Sequence, residues 1–426
     1  MPQELIEAVI SNNLVIFAGA GVSTESSYVC KSTLYEDIKA ELEIEENEDV
    51  NFSELMSLYC DRPDGKRELY LKIWHRLNFV KSFEETYNNA VRFHRELSTM
   101  YHIKEIITTN WDDFFEEECG AIPIVNPKDF VFWSLPHRKV FKIHGCVRNV
   151  SSIIATKEDY NKCYKELSSG CLIGDNLRML LATKKVLFIG YSFNDEDFNA
   201  IYSLLFDQMS DLIPHAYIVT LDDNLEKNLQ ISNFTPIVTD ARYFISELKK
   251  HIVEKGLMLK DDTFDKVYEQ LSLVQNVHDD LMKEINPKEY PVVIYSYCYQ
   301  DGIIHSFQRI LKMHKTGEYS CPGCVSRLIN SYIELKKEKL RDRNYFDIAY
   351  IDGYIDGLNF LLIDDKQKSD ITPFYIYGYN YIIDTKEEFI DIIKSQQIFH
   401  KSANKKAEKT ASNISDFVAI HHQPFL

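Results

Sequence analysis

Short runs of apolar residues recur along the first part of the chain, and each run ends in small or polar residues. They occupy residues 14–17, 103–110, 139–145, 184–192 and 215–221. Their length and their content of Ile, Val and Phe are typical of strands buried on both faces. Helical patterns separate several of them, so we predict an α/β fold with a Rossmann-like parallel sheet.

The stretch from about residue 30 to residue 100 has a helical pattern and predicts a helical insertion after the first strand. Its acidic run, "ELEIEENED", is expected to be a solvated helix end or loop. The insertion and the apolar runs together define a predicted first domain over residues 1–255.

The pattern changes beyond residue 250. Residues 261–285 predict one long amphipathic helix, and "NPKEYP" then breaks it. The Tyr-rich segments "YPVVIYSYCYQ" and "PFYIYGYNYIID" are interpreted as strands of a second, C-terminal α/β domain over residues 256–426, with a role in interaction or regulation. The Lys- and Ala-rich segment "KKAEKTASN" is expected to be a mobile connector.

Composition narrows the class of partner. The formal net charge of −17 repels phosphate backbones, so direct nucleic-acid binding is not expected. No apolar run approaches a membrane span, and the nine cysteines are too scattered for a disulfide framework. We therefore expect a cytoplasmic protein that contacts no membrane.

The segment "FAGAGVS" places a glycine turn directly after the first strand. Such a turn leaves the N–H groups of the following helix free to bind a pyrophosphate. The dinucleotide fingerprint G-x-G-x-x-G is incomplete, because Gly19 and Gly21 are present but Thr24 takes the third position. On this segment alone, a nucleotide site and an ordinary strand–turn–helix both remain open.

Three more strand ends carry chemistry-bearing residues. "ITTNWDDFF" places Thr109, Asn110 and Asp112 after a strand, where they either face a ligand crevice or cap a helix. "FKIHGC" ends in His144, whose near-neutral pKa suits proton transfer, although a lone histidine is often structural. "FIGYSFNDEDF" again follows a strand with glycine and small polar residues.

As a set, "GAGVS", "TTNWD", "KIHG" and "GYS" resemble the sirtuin family over roughly residues 10–250. The resemblance implies an NAD-binding Rossmann-like domain in which Asn110 and Asp112 contact the nicotinamide ribose and His144 acts as the base. It also implies contacts to the rest of NAD from the turn after the first strand, from Thr109, and on the adenosine side from the "GYS" segment. These cofactor-binding residues are Gly19, Ala20, Gly21, Ser23, Thr24, Thr109, Gly190 and Ser192.

The departures from protein-deacylating sirtuins are informative. The two Cys-x-x-Cys pairs of their structural zinc site are missing after His144. The pair "CPGC" at Cys321 and Cys324 lies in the other domain without a second pair, so we expect no zinc and interpret it as a turn with two reduced thiols. "TESSYVCKST" replaces the substrate loop of the deacylases, and the whole pattern looks like the sirtuin-like domains of bacterial antiphage defence proteins.

The resemblance implies an NAD⁺ hydrolase that releases nicotinamide, forms ADP-ribose and defends the cell by depleting NAD. An NAD-dependent protein deacylase and a non-catalytic sensor of NAD or ADP-ribose remain alternatives, and a linear or cyclic product stays open. An unrestrained NAD hydrolase would drain its own cell. We therefore expect a homo-oligomer whose activity is switched by a second protein, a HerA-type DNA-translocating ATPase.

Overall fold

The computed structural model describes most of the chain, in two compact units. The described residues are 1–26, 28–45, 47–48, 50–168, 170–191, 209, 212–221, 233–363, 369–414 and 421–425. The first unit consists of residues 1–255 and 315–317, and the second of residues 256–314 and 318–426.

The first unit is built on one seven-stranded sheet in which every pair of neighbouring strands is parallel. The strands, in chain order, are β1 (Leu14–Ala18), β2 (Glu105–Thr108), β3 (Ile122–Ile124), β4 (Lys139–Lys142), β5 (Lys185–Ile189), β6 (Ala216–Thr220) and β7 (Phe234–Val238). Their order across the sheet is β3-β4-β2-β1-β5-β6-β7. The carboxyl end of β1 therefore lies where the strand order reverses, which is the usual ligand position in such sheets.

Helices cover this sheet and fill the segment between β1 and β2. They are α1 (Gln3–Ile10), α2 (Leu34–Glu41), α3 (Phe52–Cys60), α4 (Gly65–Ser82), α5 (Glu84–Ala90), α6 (Arg92–Ser98), α7 (Phe114–Cys119), α8 (Lys157–Ser168), α9 (Leu172–Thr183) and α10 (Ala241–Glu254). A capping box between Thr33 and Glu36 fixes the start of α2. The predicted Rossmann-like parallel sheet and its helical insertion are confirmed.

The sequence reading missed the two outer strands, β3 and β7. β3 has only three residues, and both strands contain a proline and are only partly buried. A strand of three residues, and a half-exposed edge strand that contains a proline, both lack the continuous apolar run that identified the five inner strands.

The second unit is helical over its described residues, so the prediction of a second α/β domain was wrong. Its helices are α11 (Asp262–Glu284), α12 (Val293–Met313), α13 (Pro322–Arg341), α14 (Tyr345–Leu362), α15 (Lys386–Lys394) and α16 (Lys401–Asn413). The long amphipathic helix predicted at 261–285 is confirmed as α11. The segment "YPVVIYSYCYQ" instead enters α12, which is buried on nearly every face, and a fully buried helix has the same apolar run as a buried strand.

Helices α12 and α14 cross at a very short distance. A Cβ added at Gly353 would lie 1.9 Å from the carbonyl oxygen of Tyr299, so only glycine fits there. Three tyrosines of the segment "YPVVIYSYCYQ", Tyr295, Tyr297 and Tyr299, are buried in this helical core, whereas the segment "PFYIYGYNYIID" forms neither a helix nor a strand.

The expectation of a mobile connector at "KKAEKTASN" was also wrong, because that segment belongs to α16. Ala403, Ala407 and Ala411 are buried along one face of the helix at a spacing of four residues. Small side chains at that spacing let the helix pack closely on its neighbours, while Lys401, Lys405 and Lys409 are exposed. Within the part of the chain that the structure describes, no helix combines the length and apolar character needed to cross a membrane.

Candidate functional site

The carboxyl ends of β1, β2 and β4 open into one cavity of about 540 Å³ in the first unit. A cavity of this size is in the range that holds cofactor-sized ligands. Its walls include six residues predicted from the sequence, namely Ala20, Thr24, Thr109, Asn110, Asp112 and His144. The parallel sheet thus brings side chains from three separate motifs to one place.

Asn110 lines this cavity and its side chain is held in a fixed orientation. Its Nδ2 donates to the carbonyl oxygen of Gly19 at 3.1 Å and to Oγ of Ser23 at 3.3 Å. Its backbone N–H donates to Oγ1 of Thr108 at 3.1 Å. Since both contacts of the amide group use the nitrogen, the oxygen Oδ1 is left as an acceptor, and among the described residues this buried atom has no hydrogen-bond partner.

Asp112 is buried and its carboxylate is already engaged. Oδ2 accepts from Oγ of Ser23 at 2.8 Å, and Oδ1 accepts from the backbone N–H of Phe114 at 3.2 Å. The residue therefore ties the end of β2 to the glycine turn and forms a turn with Phe114 at the start of α7. The N-cap of α7 is Asp113, so Asp112 is not the helix cap, and it lies among the residues that line the cavity.

A buried lysine that the sequence reading did not select lies behind Asp112. The Nζ atom of Lys142 donates to the backbone carbonyl of Asp112 and to Oε1 of Glu116, the latter at 3.2 Å. Burial alone would lower the pKa of Lys142. The carboxylates of Glu116 and Asp112 outweigh this effect and hold the pKa above its usual value. Burial in turn raises the pKa of Glu116. The positive charge of Lys142 thus offsets part of the negative charge at the site.

His144 follows β4 and is buried in the cavity wall. Its ring packs against the ring of Tyr160 with centroids 4.7 Å apart. Its backbone carbonyl accepts from the N–H of Ile154 at 3.1 Å, which fixes the loop that follows β4. Packing against Tyr160 therefore positions the imidazole, and His144 is one of the residues that line the cavity.

Glycines of two strand ends pack directly against one another beside the cavity. The N–H of Gly21 donates to the carbonyl of Gly190 at 3.0 Å, and a Cβ at Gly19 would lie 2.4 Å from that same oxygen. Gly190 has φ +65°, a conformation that side chains disfavour. Gly19, Gly21 and Gly190 thus shape the turn through their own contacts, and none of them is among the residues that line the large cavity.

Ser23 also does not line the large cavity, but its hydroxyl holds two residues that do. It donates to Oδ2 of Asp112 and accepts from Nδ2 of Asn110. With Gly21, Ser23 borders a second, smaller pocket of about 50 Å³ that includes Arg92 and Arg242. The remaining predicted contact, Ser192, lies outside the described residues.

The insertion supplies most of the remaining cavity wall, which the sequence did not predict, and Glu25, Trp111 and Tyr160 supply the rest. Arg76 on α4 donates from Nε to Oε1 of Glu25 at 3.0 Å and from Nη1 to Oδ2 of Asp37 at 3.2 Å. The other oxygen of Glu25 accepts from the N–H of Leu34 at 2.8 Å. These contacts hold the segment after the glycine turn, which replaces the deacylase substrate loop, against the insertion. No local pattern marks them, because the partners are far apart in sequence.

The "CPGC" pair lies at the start of a helix in the second unit. Cys321 is the residue before α13, Cys324 is in its first turn, and Nη2 of Arg327 lies 3.1 Å from Sγ of Cys324. Neither cysteine is part of a group of three or more metal-ligating side chains among the described residues.

Comparison with known proteins shows which proteins this chain resembles. Residues 104–237 match the model of the SIR2-like domain. An Enterococcus faecium protein named NAD(+) hydrolase ThsA is 31% identical over 204 residues, which are 46% of this chain and 41% of that protein. A Bacillus cereus (strain MSX-D12) protein of the same name is 25% identical over 283 residues, 64% of this chain and 56% of its own.

A Bacillus subtilis protein named defense-associated sirtuin 2 is 19% identical over 305 residues, 69% of this chain and 28% of that protein. The chain therefore spans about half, or less, of the length of the relatives it matches.

Proposed function

We propose that this chain, which carries a SIR2-like domain, hydrolyses NAD⁺ to nicotinamide and ADP-ribose and acts in antiphage defence by depleting NAD. The observation that carries the proposal is the buried Oδ1 atom of Asn110, which has no hydrogen-bond partner among the described residues and belongs to a side chain that lines a cofactor-sized cavity. The names of the relatives, NAD(+) hydrolase and defense-associated sirtuin, support the same activity and setting.

In the proposed reaction the bond between the nicotinamide nitrogen and C1 of the ribose breaks first. Both bonding electrons leave with nicotinamide, which becomes neutral, and the ribose ring carries the positive charge, as in glycoside hydrolysis. The oxygen of a water molecule then bonds to C1. Because the leaving group needs no proton, the site has to position the water and stabilise the ribosyl cation.

Asn110 is assigned the positioning of water and ribose. Its Oδ1 accepts a hydrogen bond from the attacking water or from a ribose hydroxyl. The two contacts of Nδ2, to Gly19 and Ser23, keep the amide from turning over. A positioned group of this kind contributes about a hundred- to a thousandfold in rate.

His144 is assigned the role of the base that accepts a proton from the attacking water. As the water adds to C1 it loses a proton to the imidazole, which passes the proton on to solvent, so the overall reaction consumes one water and releases one proton. A histidine suits this step because its neutral form accepts a proton near pH 7. Its place in the cavity wall beside Tyr160 supports the assignment.

Asp112 is assigned an electrostatic role. Its carboxylate already accepts hydrogen bonds from Ser23 and Phe114, so it is poorly placed to act as a nucleophile. Its negative charge favours the ribosyl cation, and its bond to Ser23 keeps the glycine turn in place. Ala20, Thr24 and Thr109 are assigned contacts to the cofactor, and Gly19, Gly21 and Gly190 are assigned the shaping of the turn beside it. A contact from Ser192 stays a prediction.

For control, we propose a homo-oligomer that assembles with a HerA-type DNA-translocating ATPase. The reason is physical: a freely active NAD⁺ hydrolase would drain its own cell, so its activity has to depend on assembly. In the first unit, Val131, Phe132, Trp133 and Leu135 are exposed apolar residues close together in sequence, of the kind that protein interfaces use. Light scattering of the chain, alone and with the ATPase, tests this part.

The proposed activity is tested by incubating the purified chain with NAD⁺, alone and with the ATPase, and separating the products by chromatography. We expect nicotinamide and ADP-ribose in equal amounts with no acylated peptide present. His144→Ala should remove most of this activity, whereas His75→Ala, an exposed histidine on α4, should leave it intact.

Two results would contradict the proposal. NAD⁺ consumption that requires an acylated peptide would make the chain a deacylase. Saturable NAD⁺ binding, read from the fluorescence of Trp111 in the cavity wall, without turnover in any assembly would make it a sensor.

A further inference from the structure

Three side chains of the kinds that bind metals converge in the second unit, and none of them is assigned to NAD⁺. His278 lies on α11, Asp301 on α12, and His421 in the described segment 421–425. One ligand atom of each lies within 4.8 Å of the others, and no other such group occurs among the described residues.

His278 is held with its free nitrogen toward this group. Its Nδ1 lies 2.9 Å from Oε1 of Gln300, and Nε2 of Gln300 donates to the carbonyl of Pro373 at 2.8 Å. Because that second bond fixes which end of the Gln300 amide is the oxygen, Nδ1 of His278 has to be the protonated nitrogen. The lone pair of the neutral ring is then on Nε2.

Among the residues that the structure describes, that lone pair accepts no hydrogen bond. His278 is only 4% exposed, and its Nε2 has no hydrogen-bond partner among the described residues. An orphaned acceptor in the interior is costly unless something binds it. Histidines that bind metals carry this same arrangement, with one nitrogen donating to an oxygen and the other left for the ion.

The other two side chains have ligand-like spacing. Nδ1 of His421 lies 3.1 Å from Oδ1 of Asp301, close to the roughly 3.3 Å edge of a tetrahedron built from metal–ligand bonds of about 2.0–2.1 Å. The second oxygen of Asp301 accepts from the backbone N–H of His422 at 2.7 Å, which orients the carboxylate. Asp301 is buried and His421 is half-exposed, so an ion can enter from the side of His421.

We propose that His278, Asp301 and His421 form a binding site for a divalent transition-metal cation such as Zn²⁺, which replaces the expectation of no zinc that rested on the cysteine pattern. Two imidazoles and one carboxylate suit zinc, and three protein ligands leave a fourth position for water. The ion fastens segment 421–425 to α11 and α12. That segment already contacts the helical core, since the ring of His422 stacks on Tyr350 with centroids 4.2 Å apart.

Zinc binding to the full chain tests this site. After treatment with a chelator and dialysis, titration with Zn²⁺ should saturate at one ion per chain and raise the melting temperature. His421→Ala is the main variant, because a half-exposed residue can be replaced with little effect on packing. It should lose most of the affinity, at least tenfold, and Asp301→Asn should do the same.

Two controls distinguish this site from other zinc ligands. His251→Ala, on the surface of α10, should bind zinc like the unmodified chain. The double variant Cys321→Ser, Cys324→Ser should also keep the ion, and Co²⁺ in its place should show no thiolate charge-transfer band. Absence of binding, unchanged affinity in His421→Ala, or loss of the ion in the cysteine variant would each overturn the proposal.

Discussion

The side-chain nitrogen of Asn110 donates to the backbone carbonyl of Gly19 at 3.1 Å, which joins the end of β2 to the turn after β1. The two residues belong to motifs that lie far apart in sequence. The parallel pairing of β1 with β2, with Ala18 opposite Thr108, makes the two strand ends coincide. This one contact aligns the glycine turn with the polar residues that the proposed reaction needs.

The packing of the two glycine turns predicts a stability difference between two substitutions. Gly190→Ala places a Cβ 2.5 Å from Cγ1 of Val22 at a residue with φ +65°, so both crowding and backbone strain oppose it. We expect a loss of roughly 2–4 kcal/mol in the free energy of unfolding. Urea unfolding followed by tryptophan fluorescence measures it.

Gly170→Ala is the matched control for Gly190→Ala. Gly170 has φ +83°, but a Cβ there would meet nothing within 4 Å, so only the backbone strain of about 1 kcal/mol applies. Equal losses in the two variants would show that the contact between the turns does not matter.

The contacts of Arg76 predict an effect on NAD⁺ affinity. Arg76→Ala removes the bonds to Glu25 and Asp37 that hold the segment after the glycine turn along the cavity. Since that segment forms part of the wall, we expect KM for NAD⁺ to rise about tenfold, equivalent to about 1.4 kcal/mol, with a smaller change in kcat. Steady-state kinetics check this, with Arg67→Ala on the exposed side of the same helix as control. An unchanged KM in Arg76→Ala would separate the segment from NAD⁺ binding.

A buried histidine predicts how the first unit responds to acid. Burial lowers the pKa of His94 to about 4. The unfolded chain takes up this proton near pH 6.5, but the folded chain does not until about pH 4, so stability falls as the pH drops between these values. The expected loss from this residue is up to roughly 3 kcal/mol.

His94→Leu isolates that contribution, because it keeps an apolar group among Phe93, Phe114 and Phe115 but has no proton to bind. Unfolding free energies at pH 7 and pH 4.5, read from tryptophan fluorescence, should fall further in the unmodified chain than in the variant. All three tryptophans lie in residues 1–255, so they report this unit. Parallel pH profiles would mean that the pKa of His94 is not lowered in the folded chain.

The sequence was sufficient to predict the inner strands, because strands buried on both faces are continuous apolar runs. It was also sufficient to predict that the polar residues after these strands lie close together, because parallel strands bring their carboxyl ends to the same edge of the sheet. It was not sufficient for the second unit. In α12 the run around Tyr295 and Tyr297 is buried on all sides, and such a run has no period that separates helix from strand.

The parts of the site that the sequence did not reveal are those made by distant residues. Arg76 is one of many charged residues on a helix, and only its contact with Glu25 makes it part of the cavity. In the sequence, Lys142 has no feature that distinguishes it from other strand residues. Only the fold brings its Nζ atom to the backbone carbonyl of Asp112. The group of His278, Asp301 and His421 likewise has no sequence spacing typical of a metal site.

The most direct test of the proposed function compares Asn110→Ala with Asn78→Ala, an exposed asparagine on α4. NAD⁺ affinity is measured by calorimetry, and nicotinamide release by chromatography under the condition that activates the unmodified chain. We predict that Asn110→Ala releases nicotinamide about a hundred- to a thousandfold more slowly while its Kd for NAD⁺ changes only a few-fold, because Oδ1 acts on the water and the transition state. Asn78→Ala should match the unmodified chain. Full-rate nicotinamide release by Asn110→Ala would contradict the account.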